Sequence, residues 1–457
     1  MARFATILIC IGLYFNTLSQ TDQDAFFIKS IYDATLSSGK CYEWLGKLCN
    51  QAGPRLSGSS AAEDAVHLTY DLLSALNPDS IWLQACEVPH WERGKPEVVY
   101  IANNGIKIHL SALSLGNSGS SPNGLQSKVI EVKSLEGLES LSDEFVKGKI
   151  VFFNRPMDSK IIDSFNAYGG AVDQRVYGPD RAAKKGAIAC LVRSMTTSLD
   201  DFPHTGTTVF DNIDPIPAIA ISTKAADLLH QQLTENKEIE VYVENHCASL
   251  PPKQSHNIIA EIKGSEFPDE IILVGGHLDA WDVGQGAHDD GSGCVQAMQV
   301  LHTFNMLNYK PKRTLRIVLF MNEENGLAGG LTYAKVSNEN KEFHLAAIES
   351  DAGGFTPRGF KCSAEKEVFP ALLKSLNDRF SLLEAYDLYL KPGGGGADIN
   401  PLKSQGGLLI GFRPDSQRYF DYHHTANDTF DKVNKRELEL GAAAISSLVY
   451  LIDFYGL

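Results

Sequence analysis

Ile271-Ile272-Leu273-Val274-Gly275-Gly276-His277-Leu278-Asp279 passes from a short apolar run into a histidine and a carboxylate. An apolar run without polar alternation marks a strand buried on both faces, as in the middle of a parallel sheet. The pattern repeats. Strands are predicted at 257–262, 271–275, 315–321, 346–350 and 408–411, and helical spacing fills 292–307, 327–336, 368–379 and 434–454. Apolar strands alternating with helices predict an α/β fold in which a mainly parallel sheet is sandwiched by helices. In such sheets the ligand site lies at the carboxyl ends of the strands.

The chain has 457 residues, 43% apolar and 21% charged, with a formal net charge of −15. One core stops growing near ~250–300 residues, so two folding units, or one large unit carrying an insertion, are expected. Residues 114–124 are rich in Gly, Ser, Asn and Pro, and short strands at 149–154, 187–192 and 218–221 follow in alternation with helices at 180–185 and 223–232. Residues 110–248 therefore read as an inserted domain closed by Pro251-Pro252, leaving 51–109 and 249–457 as the catalytic unit. The apolar fraction excludes disorder as the main state. The excess of 56 acidic over 41 basic residues argues against nucleic acid or an anionic membrane surface as partner.

Met1-Ala-Arg3, an apolar run from Phe4 to Phe15 and a polar exit give a secretory signal peptide over 1–19. The run is shorter than the ~20 residues a bilayer span needs. No other stretch is read as a span, so a secreted protein is expected. Residues 20–50 are either a prosegment or the first helical region, with helical spacing over 24–38. Cys41, Cys49, Cys86, Cys190, Cys247, Cys294 and Cys362 form no CxxC pair; one or two disulfides are allowed, with the pairing open.

The polar residues at the predicted strand ends carry the chemistry. His277 and Asp279 share a face of an extended segment, and a carboxylate beside a histidine can fix the ring while the other nitrogen binds a metal. Asp289 and Asp290 stand in a glycine-bounded turn before a helix, Glu323-Glu324 follow the strand at 315–321, Asp351 follows that at 346–350, and His423-His424 stand near the end of the chain. Each piece alone reads as a turn, a helix cap or a solvated pair. The set, with no thiolate, suits zinc or another borderline divalent ion. Three carboxylates among five ligands, two divalent ions and one bridging hydroxide reach neutrality, and such a hydroxide is the nucleophile of a hydrolase. Of two adjacent glutamates, one can bind metal while the other moves protons.

His277-Leu-Asp279, Gly286-Ala-His-Asp289-Asp-Gly-Ser-Gly293, Glu323-Glu324, Glu349-Ser-Asp351 and His424-Thr-Ala-Asn-Asp-Thr429 resemble the co-catalytic di-zinc aminopeptidase and glutamate carboxypeptidase family. Gly53-Pro-Arg-Leu-Ser-Gly58 and Val88-Pro-His-Trp-Glu-Arg-Gly94 extend the resemblance, which runs from about residue 25 to the C-terminus. The inserted segment resembles a protease-associated domain. The resemblance implies two Zn2+ ions per subunit, held by His277, Asp289, Glu324, Asp351 and His424. In it Asp289 bridges, His277 and Asp351 hold one ion, and Glu324 and His424 hold the other. It makes Glu323 the general base and acid and Asp279 the partner of His277. It further implies a secreted or lysosomal homodimer, made with a prosegment, that cleaves dipeptides with free termini. His288 departs from the more usual Asn, Asp or Met at its position. Gly393 to Asp398 either lines the cleft or is a flexible loop.

Two functions fit. One is a zinc exopeptidase in which metal-bound hydroxide attacks the peptide carbonyl and Glu323 moves the proton. The other is a non-catalytic, receptor-like ectodomain on the same fold. A binding descendant is expected to have lost a ligand or the base, and all six positions are filled here. A serine hydrolase lacks its Gly-x-Ser-x-Gly elbow. The sequon Asn427-Asp-Thr429 lies three residues after His424, and Asn427 is expected to be mostly unmodified.

Overall fold

The computed structural model describes residues 21–103 and 105–457; the signal peptide expected at 1–19 lies outside them. In chain order, β1 (Ser80–Glu92) is followed by β2 (Val98–Asn103), β3 (Ile106–His109), β4 (Ala112–Ser114), β5 (Ser121–Val132), β6 (Ile150–Phe153), β7 (Ala189–Arg193), β8 (Ala218–Ile221) and β9 (Glu240–Asn245). Then come β10 (Ala248–Ile262), β11 (Phe267–His277), β12 (Arg313–Phe320), β13 (Phe343–Glu349), β14 (Pro357–Ser363), β15 (Tyr389–Pro392) and β16 (Leu408–Pro414). They form two eight-stranded sheets, one ordered β1-β10-β12-β11-β13-β16-β14-β15 and the other β3-β2-β9-β5-β6-β7-β8-β4.

The first sheet is mixed, with four parallel and three antiparallel pairings. Its centre, β12-β11-β13-β16, and the edge pair β14-β15 are parallel, while β1-β10, β10-β12 and β14-β16 are antiparallel. The burial explains the difference. All eight residues of β12 are buried, whereas the first seven of β10 are exposed. Antiparallel pairing tolerates water on one face; a parallel strand is covered on both. Pro251-Pro252 do not close an insertion but lie within β10, where its register with β1 shifts between Val88 and His90.

Alternate residues of β11 feed two cores. Ile272 and Val274 face helices Ser292–Met306 and Lys435–Tyr455, while Leu273 joins Val318, Phe320 and Tyr333 on the opposite side. Each such side chain contributes about 1.5–3 kcal/mol on full burial. Helix Lys435–Tyr455 is long and apolar enough to cross a membrane by length and composition, but it is a core helix, with Leu438, Ile445 and Ile452 fully buried. The helix over 21–38 is built into the same core through Ile28 and Ile31, and buried Asp24 accepts a hydrogen bond from Tyr450 Oη (2.7 Å).

The second sheet begins earlier than the composition change at 110 suggests, because residues 98–109 pair into it as β2 and β3. The Gly/Ser/Asn/Pro-rich stretch lies between β4 and β5 and runs into β5, so it belongs to the sheet's interior order rather than to a linker. Its apolar core includes Phe355, Tyr419 and Phe420, which come from loops of the first unit; the second sheet thus sits over the strand ends of the first. Among the described residues all seven cysteines are buried and unpaired, so none of the disulfides that the sequence allows is formed there.

Candidate functional site

β11 delivers His277 at its carboxyl end, where Gly276 lets the strand pass close to the turn that follows. A Cβ there would lie 2.5 Å from Asp290 Oδ2 and 2.9 Å from the Cys294 nitrogen. Asp290 ties the two segments together by accepting the N–H of His277 (3.1 Å) and of Gly293 (3.0 Å). The same turn presents Asp289 between two imidazoles. His277 Nε2 is 3.3 Å from Asp289 Oδ1, and His424 Nε2 is 3.2 Å from Asp289 Oδ2. Asp351 Oδ1 lies 3.6 Å from His277 Nε2, and Glu324 Oε2 lies 3.0 Å from His424 Nε2. The far nitrogens are also held. His277 Nδ1 contacts the Asp279 carbonyl at 3.1 Å, and His424 Nδ1 contacts the Thr205 carbonyl at 3.2 Å.

The sequence-predicted set therefore converges, with Glu323 beside it. Glu323, Glu324, Asp289, Asp351 and His424 line one open cavity of about 460 Å³, whose opposite wall is Asn117, Tyr168, Arg175 and Thr207 from the second unit. Asp279 touches His277 mainly through its backbone. Its carboxylate, 3.8 Å from the ring, accepts the N–H groups of Asn322, Glu323 and Glu324 at 2.7, 3.0 and 3.3 Å and so fixes the glutamate loop. His288 points away from the cavity, stacked on Phe355 at 4.1 Å. The glycine-rich segment is packed rather than loose at Ala397 and Ile399, whose N–H groups bond the Glu349 carboxylate at 2.9 and 3.0 Å.

Sequence reasoning missed two supports. Asp428 accepts the N–H of His288 (2.8 Å) and of Asp289 (3.1 Å), which sets the position of Asp289. Arg55 donates to the carbonyls of Leu278, Gln285 and Gly286 at 2.5, 2.6 and 2.9 Å and clamps the 278–286 loop. Both stand in motifs quoted above, but only the fold shows which backbone groups they reach.

A divalent ion suits this donor set. Ligand atoms of His277, Asp289 and Glu324 lie within 4.8 Å of one another, as do those of His277, Asp290 and Asp351 and those of Asp289, His423 and His424. Asp289 Oδ2 and Glu324 Oε1 are buried without a hydrogen-bond partner, which is costly unless a cation takes them. Protons crowd the site otherwise. Burial and the neighbouring Asp289 push Glu324 up to about 7. Burial opposes charge on His424, yet Glu324 and Asp289 outweigh it and raise the ring to about 10. Groups in these states would shed protons on binding a metal, which would couple uptake to pH.

The profile of peptidase family M28 matches residues 257–449. The chain is 33% identical to carboxypeptidase Q of Mus musculus over 416 residues, 90% of this chain and 85% of the mouse protein. It belongs to peptidase family M28 and is a zinc-dependent metallo-exopeptidase by class. Within that family its likeness is to carboxypeptidase Q. A peptidase M28 precursor from Shewanella amazonensis SB2B superposes with a TM-score of 0.89 at 31% identity, covering 95% of this chain and 97% of that one. A zinc aminopeptidase from Bacillus subtilis shares the fold, with a TM-score of 0.66 at 18% identity, over 91% of this chain and 95% of that one.

Proposed function

We propose that this chain is a secreted, carboxypeptidase Q-like peptidase that hydrolyses dipeptides or short peptides with free termini, with Glu323 as general base and acid. The observation that carries the reading is the placement of His277 and His424 on opposite oxygens of Asp289, each with a second carboxylate, Asp351 and Glu324. This arrangement offers two adjacent cation sites sharing one carboxylate. In this reading His277 and Asp351 hold one zinc, Glu324 and His424 the other, and Asp289 both. Two zinc ions, when bound, supply Lewis-acid activation of the peptide carbonyl and of the attacking water.

Glu323 lines the cavity with these ligands, and burial together with Asp351 and Glu324 holds its carboxyl well above the usual carboxylate range. With cations bound beside it the carboxyl would be deprotonated, placed to accept the proton of the attacking water and to return it to the leaving amine. Asp279 keeps it in place by holding its N–H. The second sheet, 98–245, acts as an inserted protease-associated-like domain that roofs the cleft, and homodimerisation belongs to the same reading. Zinc content and dipeptide hydrolysis of the mature protein, with and without chelator, test it. Two equivalents of zinc and no turnover across a dipeptide library would favour a binding protein on this fold.

A further inference from the structure

The cleft holds a cation that none of this chemistry uses. Arg175 lies on the short helix Asp173–Val176, lines the cavity opposite the glutamates and is 5% exposed. Its Nη2 donates to Tyr168 Oη (2.8 Å) and its Nη1 to the Thr205 carbonyl (3.4 Å); both acceptors are neutral. Its Nε is buried with no hydrogen-bond partner. Among the described residues it forms no ion pair, whereas the comparably buried Arg93, Arg313 and Arg316 pair with Asp282, Glu270 and Glu261. A guanidinium carries five donors, and a buried charge without a partner is costly.

Its position is built. The guanidinium rests on Gly206, where an added Cβ would lie 2.4 Å from Arg175 Cζ. The Thr205 carbonyl that accepts from Arg175 also contacts His424 Nδ1, at 3.2 Å. The cation is therefore held one carbonyl away from the imidazole set at the floor of the cleft.

We propose that Arg175 binds a carboxylate of the substrate, the α-carboxylate of the residue on the leaving side of the scissile bond. This rests on the peptidase reading and deepens it. A carboxylate one residue from the bond reaches a cation close to His424, and it completes the donors that Tyr168 and Thr205 leave open. The protein then requires a free C-terminus next to the bond it cuts, which confines it to the last bond of a chain or to dipeptides.

The holoenzyme is assayed with Ala-Ala, Ala-Ala-amide and Ala-Glu-amide. The wild type is expected to favour Ala-Ala over Ala-Ala-amide about 10–100-fold in kcat/KM, the range for hydrogen bonds to a charged group. Arg175→Gln is expected to collapse that ratio toward one, and Arg175→Lys to recover part of it. Ala-Glu-amide cleaved as fast as Ala-Ala would keep Arg175 as a carboxylate site but move the source to the side chain, overturning the α-carboxylate assignment. A wild type indifferent to amidation, or an Arg175→Gln loss equal on all three substrates, would overturn the proposal. Calorimetry with aminomethylene analogues of Ala-Ala and Ala-Ala-amide separates binding from turnover. Acid-selective binding lost in Arg175→Gln, in a zinc-loaded protein that cleaves nothing, would sink the peptidase reading and leave the carboxylate site standing.

Discussion

Asp428→Asn is expected to loosen the metal site without touching any proposed ligand. The Asp428 carboxylate is 3% exposed and accepts two backbone N–H groups, from His288 at 2.8 Å and Asp289 at 3.1 Å. An amide of the same shape offers one acceptor; its NH2 faces the second N–H donor to donor. One buried N–H is then stranded at a cost of about 1–3 kcal/mol, and the remaining bond loses its charge assistance. The relaxation available is rotation of the 287–290 backbone, which carries Asp289 off the line between His277 and His424. Loss of such outer support typically costs about 10–100-fold in metal affinity. Competition with a zinc chelator measures the affinity, and urea unfolding of the chelated protein measures the stability loss. An Asn variant with unchanged zinc affinity and an unchanged urea midpoint would show that Asp428 does not set the position of Asp289.

Glu323→Gln is expected to retain its zinc and lose about 10²–10⁴ in rate; full turnover at normal zinc content would remove Glu323 from proton transfer. His344 is buried between Tyr333 Oη (2.7 Å) and Gln405 Oε1 (2.8 Å), and burial lowers its pKa to about 4. The unfolded ring titrates near 6.5, so the unfolded chain binds the extra proton first and stability falls as pH drops from about 6.5 to 4, by roughly 3 kcal/mol in all. His344→Gln is expected to flatten that acid limb of urea stability, and an unchanged slope would assign it to other groups. Asn427 is half-buried, and its N–H donates to Thr425 Oγ1 at 3.0 Å. Expressed through a secretory pathway, the protein is expected to have an intact mass with no N-glycan there, and a glycosidase-sensitive shift in an active enzyme would contradict this.

The sequence was most readable where burial on both faces left only apolar residues. β11, β12 and β13 announce themselves this way, and their ends carry His277, Glu323-Glu324 and Asp351. β14 was missed because its exposed and buried positions mix arginine, glycine and lysine with Phe360 and Cys362, and β15 because half of its four residues are exposed. The residues of β2 and β3 read as part of the catalytic unit at 51–109, because β9, the partner that ties them to the second sheet through β2, lies more than a hundred residues further on. Asp428 and Arg55 stood in quoted motifs, yet a carboxylate bonding backbone N–H groups has no signature by residue type. Arg175 gave no signal, since what isolates its charge is a glycine thirty-one residues away and the absence of an acid.

The bond between Asp24 and Tyr450 joins two segments far apart in the chain. The helix over 21–38 leaves the ribosome early, but its place in the core is made with helix Lys435–Tyr455, some four hundred residues further on. Non-local closure of this kind is slow and leaves apolar surface exposed meanwhile. The strands of the second sheet all lie between 98 and 245, so their pairing can come earlier, although Phe355, Tyr419 and Phe420 join one of its cores only later. During synthesis the roof of the cleft can therefore be standing before its floor, and Ile28, Ile31 and β1 are the surfaces a chaperone would meet while the chain waits for its own end.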